Sequence, residues 1–304
     1  MEAVSAAPQP ISTRATAVRA TVQRPGVDAV REKGWWRASK WLLARRLTQF
    51  GILAVFLIGP WFGVWIVKGN LSSSLTLEIL PLTDVFLLAQ MLAAGQWPYR
   101  EALLGGGIVL AFYLLVGGRT FCSWVCPVNL VTDAAAWLRR RLGLKGGKKP
   151  SAHTRYWLLA FVLVAAAVTG TLAWEWVNPV SMLHRGLIFG FGLAWGIVLA
   201  VFLYDLFIAS RGWCGHLCPM GACYSLLGRV ALARVSADKR RLCDDCMDCF
   251  AVCPEPQVIR PALKAAGQDH PLILDPNCTT CGRCVDVCSK DVFRITTRFD
   301  RSES

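Results

Sequence analysis

The stretch Cys243-Asp244-Asp245-Cys246-Met247-Asp248-Cys249-Phe250-Ala251-Val252-Cys253-Pro254 is followed by a second run, Cys278-Thr279-Thr280-Cys281-Gly282-Arg283-Cys284-Val285-Asp286-Val287-Cys288. Both read C-x-x-C-x-x-C-x-x-x-C, the spacing of bacterial ferredoxins that carry two [4Fe–4S] clusters. Three closely spaced thiolates can wrap three irons of one cubane, and the fourth cysteine reaches across to the other cluster. One cluster is therefore expected on Cys243, Cys246, Cys249 and Cys288, and the other on Cys278, Cys281, Cys284 and Cys253. Zinc sites pair two C-x-x-C units without the third cysteine and the crossing fourth, so two complete runs in tandem favour clusters. Two adjacent one-electron centres point to a wire rather than to a catalyst of bond chemistry.

Outward from this domain the chain changes character. Of its 304 residues, 54% are apolar and 17% charged, against about a quarter charged in an ordinary soluble domain. The mean hydropathy is +0.42. The 13 cysteines do not read as a disulfide framework, because that suits a small secreted domain and eight of them follow cluster spacing, which needs reduced thiolates. The net charge of +13 comes from basic runs that flank apolar segments, where they orient a membrane protein. No zinc-finger, RRM or basic-zipper pattern accompanies it, and no nucleic-acid partner is expected.

The expected fold is a membrane all-α domain of four transmembrane helices plus a small α+β bacterial-type 2[4Fe–4S] ferredoxin-like domain. Residues 1–34 lack apolar periodicity and read as a disordered tail without a signal peptide. Residues 35–228 form the membrane domain, with spans at about 47–67, 100–118, 156–176 and 187–208, each near the ~20 residues a bilayer core requires. Gly105-Gly106-Gly107 in the second span permits close helix packing. The apolar stretch 85–94 is too short to span and reads as an interfacial or packed helix. Residues 229–304 form the ferredoxin-like domain. Segment 1–46 carries nine Lys/Arg and loop 119–155 carries eight, whereas loop 68–99 has Lys68 and loop 177–186 has Arg185. The positive-inside rule then places both termini, the basic loop and the ferredoxin domain in the cytoplasm of a multi-pass inner-membrane protein. Trp61, Trp65, Trp174 and Trp176 are expected in an aromatic belt at the opposite face.

The membrane domain repeats internally. The second span leads into Cys122-Ser123-Trp124-Val125-Cys126-Pro127 and the fourth into Cys214-Gly215-His216-Leu217-Cys218-Pro219. On a helix, thiols at i and i+4 share a face, and the proline breaks or starts a helix. Cys122, Cys126, Cys214 and Cys218 could form a further metal or cluster site between the halves, act as two redox dithiols, or be inert buried thiols; duplication at matched positions favours function. Cys223 reads as a core residue. His216, inside the second motif, and His184, in a short outer loop, are weak candidates.

These motifs, with Lys33-Gly34-Trp35-Trp36-Arg37, Gly59-Pro60-Trp61-Phe62-Gly63-Val64-Trp65 and residues 243–256, resemble the NapH family, the ferredoxin-type membrane quinol dehydrogenase component of periplasmic nitrate reductase systems. The likeness runs from about Lys33 onward. It implies four spans, two [4Fe–4S] clusters facing the cytoplasm, oxidation of quinol from the membrane pool, and electron delivery to a NapG-like iron–sulfur protein or a NapC-like cytochrome and on to periplasmic nitrate reductase. A hydrocarbon core of about 30 Å separates such clusters from an acceptor outside, and the four C-x-x-x-C-P cysteines are the evident candidates for an intermediate centre. A quinol site needs an apolar cleft with a proton acceptor. Glu175 and Asp205, at or in expected spans, are the first candidates; Glu78 and Asp84 are weaker. The alternative function is an iron–sulfur membrane protein for metallo-enzyme assembly or redox-linked regulation, which would usually carry an extra domain.

Overall fold

The computed structural model describes residues 25–300, apart from 145, 146, 148, 149, 191, 266 and 268, together with residue 302. Residues 1–24 of the expected tail lie outside the described residues. The tail reading fails at its C-terminal end, where Val27–Lys33 forms helix α1. Ala29 is fully buried, the Gly26 N–H donates to the Asp248 carboxylate at 2.7 Å, and Lys33 Nζ donates to the Val285 carbonyl at 3.0 Å. Composition judges a segment in isolation, whereas here the ferredoxin domain supplies the apolar and acidic partners.

Helix α2, Trp35–Phe62, has 28 residues and spans about 42 Å at 1.5 Å per residue. Among the described residues it is the one helix long and apolar enough to cross a membrane by length and composition. It begins well before the expected 47, because hydropathy sees only the apolar run while the helix continues through polar residues that dock on the ferredoxin domain. The other expected spans appear as shorter helices: α4, Arg100–Val116; α6, Thr154–Thr169; and α8, Leu193–Leu203, which continues into a π-helical turn at Tyr204–Ile208. Gly63 and Gly170, in left-handed conformations with φ of 76° and 64°, close α2 and α6. Gly190 and Gly192 flank the break between α7, Pro179–Phe189, and α8.

The expected outer loop 68–99 holds a three-stranded antiparallel sheet, β1 Val67–Gly69, β2 Ser73–Thr76 and β3 Leu80–Thr83, in spatial order β1-β2-β3. The β2–β3 turn is built on Leu77 and Glu78 at φ of 52° and 61°, without the glycine or asparagine that marks such turns, and the strands are short, so the sheet left neither a turn signal nor a periodic one. A Cβ on Gly105 would lie 2.7 Å from the Pro81 carbonyl; the glycine run admits a strand against α4, where the sequence suggested a second helix. Helix α3, Val85–Ala93, follows as expected, with Asp84 as its N-cap accepting from Leu87 N at 3.3 Å.

Two helices continue the C-x-x-x-C-P motifs, α5 Val128–Arg141 and α9 Pro219–Gly228. Aromatic rings from α4, from the start of the first motif and from α9 meet in the core. Phe121 stacks on Tyr224 with centroids 5.0 Å apart and planes 9° apart, and Tyr113 meets Tyr224 edge-on at 5.0 Å. Of the expected aromatic belt, Trp61, Trp65 and Trp176 are exposed, but Trp174 is buried against Phe86. His184 lies on α7, buried edge-on to Phe56, not in a loop.

The C-terminal domain is a small α+β unit. Strands β4 Ala233–Ser236, β5 Leu272–Ile273 and β6 Arg294–Thr297 pair antiparallel in the order β5-β4-β6. Helices α10 Asp248–Val252, α11 Ile259–Lys264 and α12 Arg283–Val287 pack on them around Val235, Ile259, Ile273 and Phe293.

Candidate iron–sulfur centres

The two ferredoxin runs bend alike. Asp245 and Met247 in the first have φ of 59° and 65°; the corresponding Thr280 and Gly282 in the second have φ of 46° and 71°. These left-handed residues curl each loop around its cysteines, turning successive backbone N–H groups toward the sulfurs. One-turn helices α10 and α12 then carry Cys249 and Cys284, and the chain leaves in extended conformation at Cys253 and Cys288.

Cys243, Cys246, Cys249 and Cys288 line one cavity. Cys253, Cys278, Cys281 and Cys284 line a second. Each cavity thus takes three cysteines from one run and the fourth from the other. The donor sets fit [4Fe–4S] groups, four sulfurs to each. Burial raises the thiols of Cys246 and Cys278 to about 11 and that of Cys249 to about 12, so binding iron there displaces protons. Cys281 goes the other way: burial opposes ionisation, but the guanidiniums of Arg283 and Arg45 lower its thiol.

The C-x-x-x-C-P units differ from the helical expectation. Phe121–Val125 and Trp213–Leu217 are single π-helical turns, closed by Cys126 N to Phe121 O and by Cys218 N to Trp213 O, both at 2.9 Å. The second cysteine of each is extended, with φ and ψ of −62° and 118° at Cys126 and −69° and 114° at Cys218. A residue before proline is pushed into that region, and the proline opens the following helix. Cys122, Cys126, Cys214 and Cys218 all line one cavity, together with Trp174, Asn178 and Met220. Cys223 is half-buried outside it, packed on the aromatic core.

Two buried carboxylates fasten the ferredoxin domain to the helices. Glu255 accepts from Arg119 at 2.6 Å and Arg155 at 2.9 Å. The same guanidiniums donate to the carbonyls of Cys214 at 2.9 Å and Gly215 at 2.8 Å, and both reach Asn277. Burial would raise the Glu255 carboxyl, yet Arg119 and Arg155 hold it below the usual carboxylate range. This cluster of charges lies between Cys253 and Cys278 on one side and the second π turn on the other. The first π turn docks in parallel: Ser123 Oγ donates to Thr279 O at 2.8 Å and Trp124 Nε1 to Thr280 O at 3.2 Å. Asp133 on α5 is the second hub, 2.6 Å from Arg46, 2.7 Å from Arg283 and 3.4 Å from Arg211. Neither hub was singled out in the sequence; only their placement in cysteine-flanking segments could have flagged them.

The quinol-site candidates fare differently. Glu175 accepts from Asn178 Nδ2 at 2.9 Å and Ser181 Oγ at 2.8 Å, and Asp205 accepts from Trp213 N at 2.9 Å. Glu175 is engaged in a local turn, whereas Asp205 keeps its Oδ2 buried without a hydrogen-bond partner among the described residues; neither lines the cavity of about 500 Å³ that Asp84 lines. Glu78 is exposed and pairs with Lys68. His216 lies in the second π turn.

A family model described as a 4Fe-4S binding domain matches residues 101–145 and 189–241, one match on each C-x-x-x-C-P half, and one described as a 4Fe-4S dicluster domain matches residues 242–292. The ferredoxin-type protein NapH of Escherichia coli (strain K12) is 52% identical over 275 residues, 90% of this chain and 95% of that protein. The chain belongs to the NapH family. The methylamine utilization ferredoxin-type protein MauN of Paracoccus denitrificans (strain Pd 1222) is 54% identical over 271 residues, 89% of this chain and 95% of that protein. The chain is thus a ferredoxin-type electron-transfer protein with 4Fe–4S domains, similar to both NapH and MauN. No solved structure matches the chain.

Proposed function

We propose that the chain is a membrane electron-transfer subunit that oxidises quinol and passes electrons toward a periplasmic nitrate reductase through a NapG-like iron–sulfur protein or a NapC-like cytochrome. Cys243, Cys246, Cys249 and Cys288 hold one [4Fe–4S] cluster and Cys278, Cys281, Cys284 and Cys253 hold the other. Cys122, Cys126, Cys214 and Cys218 hold a third iron–sulfur centre between the two halves. α2, α4, α6 and the α7–α8 region cross the inner membrane, with both termini and the ferredoxin domain cytoplasmic.

The observation that carries this reading is the succession of cysteine cavities. The four-cysteine cavity of the π turns, the Arg119–Glu255–Arg155 cluster and the Cys253 cavity follow one another without an intervening solvent layer, since Arg119, Arg155 and Glu255 are all buried. Iron–sulfur groups, when bound, supply one-electron acceptance and release. The protein's own residues hold them, neutralise the charge between them and exclude water. The middle centre shortens the reach toward an acceptor across the membrane. Support for the nitrate branch comes from the NapH relatives alone, and MauN at 54% identity against 52% for NapH makes the downstream acceptor the first thing to test.

The test uses protein purified anaerobically in detergent. Iron and acid-labile sulfide should match three clusters, and a menaquinol or ubiquinol analogue should reduce them, read by electron paramagnetic resonance. Cys122→Ser should remove one cluster's worth of iron and leave the ferredoxin pair. Content matching two clusters, unchanged by Cys122→Ser, removes the middle centre from the scheme. A colourless zinc-bearing preparation overturns the whole of it.

A further inference from the structure

A cavity of about 500 Å³ lies between α2, the β1–β3 sheet and α4, within the size range of small-molecule sites. Its walls are apolar: Ile52 and Val55 from α2, Ile108, Val109 and Phe112 from α4. Ile108 and Phe112 are also exposed on the outer surface of α4, so the cavity opens toward the apolar exterior of the helices. One end is polar. Asp84 lines it, 5% exposed, with one carboxylate oxygen accepting the Tyr224 phenol and the other the Leu87 N–H. Among the described residues Asp84 makes no ion pair. Hydrogen bonds rather than a cation hold this carboxylate at the end of the apolar slot, which leaves it there as a proton acceptor.

The cavity also adjoins the π-turn cysteines. Phe121 lines both this cavity and the one formed by Cys122, Cys126, Cys214 and Cys218, and its other neighbour in the stack is Tyr224. One aromatic ring therefore separates the two spaces.

Resting on the quinol-oxidising reading above, we infer that this cavity is where the quinol binds: an isoprenoid hydroquinone enters between α2 and α4, its ring lies against Phe121 and Tyr224, and one hydroxyl donates to Asp84. Oxidation to the quinone breaks two O–H bonds and releases two electrons and two protons. Cys122, Cys126, Cys214 and Cys218, beyond Phe121, would hold the iron–sulfur group that accepts the electrons one at a time. Asp84 takes the protons in turn, each passed to water before the next arrives. Tyr224 is a positioning residue, since its phenol fixes the carboxylate that receives the proton.

The experiment compares three proteins in detergent: the unaltered chain, Asp84→Asn and Val109→Trp. A quinol-analogue inhibitor is titrated by fluorescence quenching, and reduction of the iron–sulfur chromophore is followed by stopped flow with a short-chain quinol and, separately, with dithionite. Val109→Trp fills the slot and should weaken analogue binding at least tenfold, with dithionite reduction and iron content unchanged. Asp84→Asn should keep binding within about threefold and slow reduction by quinol about 10²-fold or more, the scale of a lost general base. Equal binding to Val109→Trp, or an undiminished rate in Asp84→Asn, overturns the location. If Val109→Trp loses its clusters, a photoreactive quinone on the unaltered protein decides: adducts within 51–56 or 108–113 support the site, and adducts elsewhere overturn it. If the unaltered protein neither binds the analogue nor is reduced by quinol, while dithionite reduces it fully, the quinol-oxidising reading itself fails.

Discussion

Replacing Asp133 by asparagine should loosen the joint between the ferredoxin domain and the helices. The carboxylate is about 10% exposed and faces Arg46, Arg283, Arg211 and Arg45 at 2.6, 2.7, 3.4 and 3.9 Å. Burial would raise its carboxyl, but the four guanidiniums override this and hold it at about 2 against an ordinary 3.8. That depression corresponds to roughly 2.5 kcal/mol of stability at neutral pH. Stranding the arginines brings the loss toward the 3–5 kcal/mol typical of a broken buried pair. Thermal bleaching of the iron–sulfur chromophore in detergent should therefore move down by about 5–15 °C. Because the folded carboxyl titrates below the unfolded one, its contribution is complete above about pH 5 and is lost as pH falls toward about 2. The gap between the two proteins should then be constant from neutral down to about pH 5 and close below it. A shift under about 2 °C, or a gap that widens on acidification, refutes the reasoning.

Three further outcomes follow from the same contacts. Glu255→Gln leaves Arg119 and Arg155 buried without a counter-charge and should cost about 3–5 kcal/mol; combined with Asp133→Asn the losses should add within about 0.5 kcal/mol, since the hubs share no partner. Cys253→Ser, although it alters the first run, should abolish the paramagnetic signal of the cluster on Cys278, Cys281 and Cys284 and spare the one on Cys243, Cys246 and Cys249; loss of the latter alone would reverse the crossed assignment. Gly282→Ala forces a side chain onto a residue with φ of 71° and 2.4 Å from Trp41, so strain of about 1–3 kcal/mol plus displacement of Trp41 should appear as a lowered bleaching temperature and altered tryptophan fluorescence.

The ferredoxin half was legible because cysteine spacing encodes loop geometry directly: iron dictates where sulfur must be, and the backbone follows. The four-cysteine cavity was legible as a gathering of residues but not as a shape, since C-x-x-x-C reads equally as one turn of α-helix; the pre-proline restriction on Cys126 and Cys218 and the wider π turn decide it. The β1–β3 sheet escaped notice because strands of three and four residues carry too little alternation to register beside long apolar runs. Asp84 stands in the expected outer loop, and only the fold of that loop onto α4 and Tyr224 buries it. Glu175 and Asp205 stand at or in apolar sequence, yet Glu175 is employed by Asn178 and Ser181, and Asp205 accepts from Trp213 N away from the cavity that Asp84 lines.

The seating of both π turns on the loops around Thr279, Asn277 and Glu255 has a kinetic corollary. A carrier riveted to its scaffold by buried arginines cannot swing between donor and acceptor in the manner of a tethered shuttle. Its throughput is then set by fixed gaps between centres, and thickening the solvent with glycerol should leave the internal transfer rate untouched.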